Sequence, residues 1–257
     1  MLVFGTRPEA IKMAPLVHAL KANQEQFEIK VCVTSQHRQM LDQVLKIFEI
    51  KPDIDLNLMK KNQNLSNLTS LILNEMQSVL TQYQPDIVLV HGDTTTTQVA
   101  SMTAFLRGIR VGHIEAGLRS NDKDSPFPEE INRRVASLVA DFHFAPTERA
   151  RQNLIQENLP QKNIFVTGNT VIDSLKKTIQ KIDSEKSVLK KIDKNLLKII
   201  SENIGKKLVL ITGHRRENFG ISFENICLAI KDLSEAFEEV IFIYPVHLNP
   251  NVRKPVM

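Results

Sequence analysis

Polar and charged side chains follow five short apolar runs of this 257-residue chain, each of which breaks at a glycine. The runs and their polar ends span residues 2–9, 87–94, 111–117, 164–169 and 208–217. This pattern is typical of a buried strand that ends in a tight turn and opens a helix. In an open parallel sheet, ligands bind at the carboxyl ends of the strands. Because Arg, Asp, Glu and His recur there, the sequence predicts a site for a polar, anionic small molecule.

Cations at two of these turns are suited to binding phosphate. Arg7 lies in the first turn and Lys12 follows five residues later, so both could join a helix N-terminus in holding an anion. Gly213 is followed by His214 and Arg215, a composition typical of diphosphate binding, in which His214 is a proton donor or a fixed cation. The alternative for each is a solvated surface side chain.

Three carboxylates are predicted to project from the same sheet edge. They are Asp93, Glu115 and Glu129, and carboxylates that share a cleft acquire separated pKa values suited to acid–base chemistry. Asp93 has the alternative role of capping the helix that follows it. Glu129 and Arg133 are four residues apart on one predicted helix face, where a surface ion pair is the alternative. Arg119 is expected within reach of Glu115.

Metal and nucleotide-cofactor motifs are missing from the sequence. His91 precedes Asp93 by two residues, as His113 precedes Glu115, and each pair could offer ligands on one strand face. There is no HExxH or CxxC pair, no GxGxxG after the first strand and no GxxxxGK[ST]. We therefore expect no metal and no cofactor, and we expect His91 and His113 to pack at the top of the sheet.

Strand and helix patterns alternate along the first part of the chain. A strand is expected over Phe27–Thr34 and helices over Leu65–Tyr83 and Thr95–Leu106, which predicts a parallel α/β sheet with helices on both faces. A Lys-rich region without a strand follows residue 170, so we expect one domain over 1–170 and another over 171–257. In the second domain the sequence predicts only two clear strands.

Composition narrows the class of protein. The net charge of +4 comes from scattered lysines, which argues against nucleic-acid binding. No apolar stretch reaches the roughly 18 residues of a membrane span, and Met1–Gly5 is expected to be a strand and not a signal peptide. Cys32 and Cys227 lie in apolar segments and are expected to be buried free thiols. A cytoplasmic protein is expected.

Six ordered motifs resemble one enzyme family, the bacterial non-hydrolysing UDP-N-acetylglucosamine 2-epimerases. The matching segments are Phe4–Lys12, His91–Thr94, His113–Arg119, Pro128–Glu130, Gly168–Asp173 and Gly213–Glu217. The resemblance implies a glycosyltransferase-B-like fold, two Rossmann-like doubly wound domains with the active site between them, the second incomplete here. It also implies interconversion of UDP-GlcNAc and UDP-ManNAc for surface polysaccharides, by UDP elimination to a 2-acetamidoglucal and re-addition, without redox cofactor or metal.

The resemblance also assigns residues to roles. Asp93, Glu115 and Glu129 match the acid–base carboxylates, with the side of the sugar that each one faces left open. His214, Arg7 and Lys12 would stabilise the departing diphosphate, and Arg133 and Arg215 would bind substrate or orient a carboxylate. Some members dimerise, and some are activated by a second UDP-GlcNAc, whose pocket Gln36, Gln39, Arg215 and His247 would border. Asn62 stands where some activated members have Arg.

The resemblance leaves two other functions open. Family members continue past Pro255, so we expect this chain by itself to be weakly active or inactive. One alternative is a hydrolysing relative that releases ManNAc and UDP. The other is an inactive remnant that binds sugar nucleotide or a full-length partner.

Overall fold

The computed structural model describes residues 1–35, 38–58, 63–185, 193–213, 220–246 and 250–257. These residues form two compact units, Met1–Lys181 and Ile182–Met257. The expected division into domains at residue 170 stays a prediction. Each unit is described by itself below.

The first unit alternates strands and helices, as the sequence predicts. Its strands are β1 Leu2–Phe4, β2 Val31–Val33, β3 Ile54–Asp55, β4 Ile87–His91, β5 Arg110–Ile114, β6 Phe142–Ala145 and β7 Ile164–Val166. Its helices are α1 Arg7–Lys21, α2 Arg38–Ile47, α3 Leu65–Tyr83, α4 Thr95–Leu106, α5 Glu129–Val139, α6 Glu148–Gln156 and α7 Val171–Ser184, the last of which runs past Lys181. A short 3₁₀ helix spans Gln161–Asn163.

The seven strands form one parallel sheet in the order β3-β2-β1-β4-β5-β6-β7. The chain builds outward from β1 in one direction and then returns to place β4 on the other side of β1. The strand order therefore reverses between β1 and β4, and such a switch point leaves a crevice at the carboxyl ends of the strands. The loops that leave β1 and β4 are the ones that can line it.

Two apolar layers cover the sheet because alternate strand residues face opposite sides. In β1, Leu2 and Phe4 pack with buried residues of α1 and α2, and Val3 packs with those of α3 and α4. Cys32 belongs to the second layer and is fully buried, as expected. These layers hold the carboxyl edge of the sheet in place.

Pairing shortens the second strand. Helices α3 and α4 have the predicted bounds, but the strand expected over Phe27–Thr34 spans only Val31–Val33. Its partner β1 offers three residues, Leu2–Phe4, and Phe27 is 46% exposed. The alternating pattern therefore begins before Val31, but only Val31–Val33 pair with β1.

The described residues of the second unit contain two parallel strands, β8 Lys207–Leu210 and β9 Val240–Ile243. Its helices are α8 Lys194–Glu202, α9 Ile221–Ala236 and α10 Pro250–Val256. Phe223 and Val252 are buried, whereas Cys227 is only partly buried, which corrects the expectation of a second buried thiol. No helix among the described residues is long and apolar enough to cross a membrane.

Candidate active site

Asp93 lies in the loop between β4 and α4, at the switch point. The alternative considered for Asp93, capping of the helix that follows, is wrong, because the Thr94 hydroxyl caps α4 by accepting from the amide of Thr97 at 3.1 Å. The Asp93 carboxylate instead accepts from Arg133, with 2.6 Å between Oδ2 and Nη2. The Asn132 side-chain amide donates to the Asp93 carbonyl at 2.9 Å. Two neighbouring residues of α5 thus hold Asp93: Asn132 binds its backbone carbonyl, and Arg133 binds its carboxylate.

The electrostatic surroundings of Asp93 include the other two predicted carboxylates. Burial raises the pKa of Asp93, and Glu129 and Glu115 raise it further, whereas Arg133 and Lys12 lower it. The net effect is a raised pKa. Glu115 and Glu129 are therefore near enough to act on the pKa of Asp93, which agrees with the prediction that the three carboxylates lie at one edge of the sheet.

Glu115 directly follows β5 and is held by groups from two other elements. Its backbone is left-handed, with φ 61°, which is unusual for a residue with a side chain. Lys12 Nζ on α1 lies 2.7 and 2.6 Å from the two carboxylate oxygens. The side-chain amide of Asn169 also donates to Oε2. Lys12, predicted to hold phosphate, is therefore paired with a carboxylate in this structure.

Glu129 and Glu130 begin α5 and have different surroundings. Glu129 Oε2 is buried and, among the described residues, has no hydrogen-bond partner. The ion pair considered for Glu129 and Arg133 does not form among the described residues: Arg133 pairs with Asp93 and Glu130, and its Nε donates to the Glu129 backbone carbonyl at 3.3 Å. Glu130 is fully buried; burial raises its pKa, but hydrogen bonds from Ser120 and Arg134 outweigh burial and leave the pKa lowered. The unpartnered oxygen of Glu129 is available to another group.

Glu9 was not singled out by the sequence analysis, yet it joins the two loops at the switch point. It is 2% exposed and completes a capping box with Thr6 at the start of α1. Oε2 accepts from the amides of Gly5 and Thr6 at 3.0 and 2.8 Å. Oε1 accepts from the hydroxyls of Thr94 and Thr97 at 2.7 and 3.1 Å. A capping-box pattern was the available signal, but its contact with the threonines depends on the fold.

Arg7 lines an open groove. Lys12, the partner of Glu115, also lines it and connects it to the carboxylate cluster, by which we mean Asp93, Glu115 and Glu129. The groove has a volume of about 430 Å³ and lies between α1, α2 and the start of α7. Its lining residues are Arg7, Pro8, Ile11, Lys12, Gln43, Val44, Ile47 and Val171. Two cations at the rim of a mostly apolar groove suit a ligand with an anionic end.

Three histidines lie buried within the sheet. Burial lowers the pKa of His91 to about 4, that of His113 to about 3 and that of His143 to about 4. His113 Nε2 lies 2.7 Å from the carbonyl of Gly92, at the base of the Asp93 loop. His91 and His113 pack in the sheet, as expected. The described residues contain no group of three or more His, Cys, Asp or Glu that could hold a metal ion.

Comparison with known proteins gives the family. A model of UDP-N-acetylglucosamine 2-epimerase matches residues 18–257. The UDP-N-acetylglucosamine 2-epimerase of Escherichia coli strain K12 is 53% identical over 256 residues, which are 100% of this chain and 67% of the relative. The chain belongs to the UDP-N-acetylglucosamine 2-epimerase family.

Solved structures of this epimerase family have the same fold. UDP-GlcNAc 2-epimerase from Neisseria meningitidis, solved bound to UDP-GlcNAc, is 50% identical to this chain with a TM-score of 0.91. The match covers 99% of this chain and 67% of the Neisseria chain. The enzyme from Methanocaldococcus jannaschii, solved with UDP-GlcNAc and UDP, is 30% identical with TM-score 0.75 over 99% of this chain and 67% of its own. A lipopolysaccharide outer core galactosyltransferase, 13% identical at TM-score 0.52, shares the fold alone. The fold is α/β and glycosyltransferase-B-like, as predicted, and the chain spans about two thirds of its relatives' length.

The other predicted epimerase residues have different outcomes. Arg119 does not reach Glu115 but pairs with Glu157 at 2.7 Å, and its side chain is 1% exposed. The predictions for His214, Arg215, Gln36 and His247, and the observation about Asn62, fall outside the described residues, as does the side chain of Gln39. The described acid–base candidates therefore all belong to the first unit.

Proposed function

We propose that this chain acts as a UDP-GlcNAc 2-epimerase, interconverting UDP-GlcNAc and UDP-ManNAc. The observation that carries the proposal is the pairing of two neighbouring carboxylates with different cations: Glu115 with Lys12 and Asp93 with Arg133. A family member that inverts C2 needs one group to remove a proton and another to return it. Glu129, with its unpartnered oxygen, is the third candidate.

The reaction balances without a redox partner. A carboxylate takes the C2 proton, and the C–H electron pair becomes the C1–C2 double bond. The C1–O bond breaks, and its electron pair leaves with UDP to give a 2-acetamidoglucal. In the return step a UDP oxygen bonds to C1, while an acid protonates C2 on the other face.

Asp93 and Glu115 suit such proton transfers for different reasons. The raised pKa of Asp93, caused first by burial, brings its carboxyl closer to neutral pH, where a proton is readily taken up and returned. Lys12 contacts both oxygens of Glu115, and together with Asn169 it holds this carboxylate in place beside Asp93. Arg7 at the groove is proposed to stabilise the departing diphosphate. His214 and Arg215, which lie outside the described residues, keep the roles that the resemblance assigns to them.

Proton NMR of UDP-GlcNAc incubated with the chain in D₂O tests the proposal. UDP-ManNAc carrying deuterium at C2 is the expected product. Free ManNAc with UDP would instead identify a hydrolysing relative. An unchanged spectrum with folded protein would contradict epimerase activity in this chain and favour a protein that only binds sugar nucleotide.

Matched variants connect the activity to the cluster. Asp93→Asn and Glu115→Gln keep the side-chain shape but remove the proton-transfer group, and each is expected to lower kcat by about 10²–10⁴-fold. Glu148→Gln is the control, because Glu148 is an exposed glutamate on α6 with ordinary surface partners. A loss below about threefold in both site variants would contradict their proposed acid–base roles.

The proposal also includes the assembly, location and organisation that the family implies. We propose a cytoplasmic homodimer that supplies surface polysaccharide synthesis. We also propose an acid–base domain over 1–170 and a UDP-binding domain that begins at residue 171. Light scattering of the purified chain tests the dimer, which a monomer at micromolar concentration would contradict.

A further inference from the structure

We propose that Asn169 is a positioning residue that orients the Glu115 carboxylate for proton transfer, an inference that rests on the proposed function. Asn169 lies in the turn between β7 and α7, 54 residues from Glu115 in the chain. Its side-chain amide donates to Glu115 Oε2. Its side-chain carbonyl accepts from the amide of Val171 at 3.0 Å, at the start of α7. The same side chain thus anchors a helix and a site carboxylate.

Glu115 requires this support because its contact with Lys12 does not fix the plane of its carboxylate. Its left-handed backbone, at φ 61°, is sparsely populated for residues with side chains and needs its surroundings to hold it. The Lys12 ammonium is a point charge on a flexible stem, so it attracts both oxygens without fixing the carboxylate plane. A planar amide anchored at its other end can fix it.

The residue type at position 169 agrees with this role. Asp, Ser and Thr accept from a backbone amide at a helix start as well as Asn does. Among these four only Asn has separate acceptor and donor atoms, so its Oδ1 accepts from Val171 while its Nδ2 donates to Glu115. A purely local role in starting α7 does not use the Nδ2 donor, whereas the contact with Glu115 does.

Substitution by Asp separates the two roles. Asn169→Asp keeps the acceptor for Val171 but removes the donor and places a like charge beside Glu115. Among the described residues, the charged or titratable groups that act on this region are Lys12 from α1, and His91 and Asp93 from β4 and its loop; Arg133 and Glu129 from α5 act on Asp93. Because a second carboxylate disfavours ionisation of its neighbour, the acidic limb of the kcat–pH profile should move to higher pH.

Kinetics of Asn169→Asp and Asn169→Ser test the proposal. We expect kcat to fall about 10- to 100-fold in both, as misplacement of a reacting group costs, with KM for UDP-GlcNAc changed less than about twofold. The acidic limb should shift in the Asp variant alone. Thr147→Ala is the control, because Thr147 caps α6 by accepting from Ala150 and has no contact with the carboxylate cluster. Wild-type kcat and an unmoved profile in Asn169→Asp would overturn the proposal.

A double-mutant cycle measures the contact without relying on activity. Asn169→Ala and Glu115→Ala are combined, and the unfolding equilibrium constants of the four proteins are compared in urea. A hydrogen bond to a charged group should give a coupling of about tenfold. Additive effects would overturn the contact even if the enzyme is active. Coupling in a wild-type chain that forms no UDP-ManNAc would instead overturn the proposed function, and with it the catalytic role of the contact.

Discussion

Replacement of Glu9 by alanine is expected to lower the free energy of unfolding by about 2–6 kcal/mol. The Glu9 carboxylate is buried and accepts from the amides of Gly5 and Thr6 and from the hydroxyls of Thr94 and Thr97. Alanine removes all of these acceptors at once. The two loops at the switch point would then lose the side chain that joins them.

The magnitude follows from counting which donors lose every partner. In Glu9→Ala both threonine hydroxyls keep another acceptor. The Thr97 hydroxyl can donate to the His91 carbonyl, 2.5 Å away, and the Thr94 hydroxyl can donate to Thr97 Oγ1, 3.3 Å away. The amides of Gly5 and Thr6 have no such substitute described, and each buried orphan donor costs about 1–3 kcal/mol. Glu9→Gln should cost less, about 1 kcal/mol at neutral pH. Its carbonyl can accept from the amides, and the threonine hydroxyls can rotate to accept from its NH₂ group.

Urea unfolding followed by circular dichroism measures these differences. The slope m should remain constant, so that the midpoint reports the change in stability. Glu28→Ala is the control, since the Glu28 side chain is 86% exposed and should change stability by less than about 0.5 kcal/mol. A loss below about 1 kcal/mol in Glu9→Ala would refute the inference that these donors depend on the carboxylate.

The pH dependence of the same comparison provides a second test. Burial raises the pKa of Glu9 above 4.5, opposed by hydrogen bonds from Thr94, Gly5 and Thr6. The folded chain therefore holds this proton more tightly than the unfolded chain does. Wild-type stability relative to Glu9→Gln should be greatest below pH 4.5 and should decline as pH rises through the raised pKa. A difference that grows with pH would contradict this sign.

Gly117→Ala should destabilise the fold by more than about 2 kcal/mol in thermal unfolding, because a Cβ would lie 2.2 Å from the Ala150 carbonyl oxygen at φ +88°. Gly168→Ala is the matched control, with φ +79° and nothing within 4 Å of its Cβ, so only backbone strain of about 1 kcal/mol is expected. Equal losses in the two would refute the steric argument. Arg133→Lys should lower kcat at least about tenfold in initial-rate assays, since an ammonium lacks the planar fork whose separate nitrogens contact Asp93 and the Glu129 carbonyl. Wild-type kcat in this variant would show that the planar fork is not required.

The helices were predictable because their signals are local. Thr95–Leu106 was predicted with the bounds that the structure has, since a polar cap and an apolar stripe both lie within the segment. The strand Val31–Val33 was predicted too long, because its length is set by the three residues of β1. Strand ends depend on a distant partner, and an isolated pattern does not contain that information.

The candidate site was predicted as a set of carboxylates but not as a set of contacts. Motifs after β4 and β5 singled out Asp93 and Glu115, because catalytic residues follow the ends of parallel strands. An ion pair of Arg133 with Glu129, four residues away, was the alternative considered from sequence, whereas the guanidinium contacts the carboxylate of Asp93, 40 residues distant in the chain. The link from Glu9 to Thr94 spans 85 residues. Such pairings follow from strand order and helix rotation, which only the assembled sheet determines.

The buried imidazoles of His91, His113 and His143 change how experiments on this protein should be interpreted. With pKa values of about 3 to 4 they stay uncharged from pH 5 to 9, so they add no titration of their own to a rate profile in that range. An inflection near pH 6 therefore reports some other group. Reagents that acylate imidazole should also react slowly with these three rings while the fold is intact. Rapid acylation would then mark histidines elsewhere in the chain, and late acylation would report opening of the sheet itself.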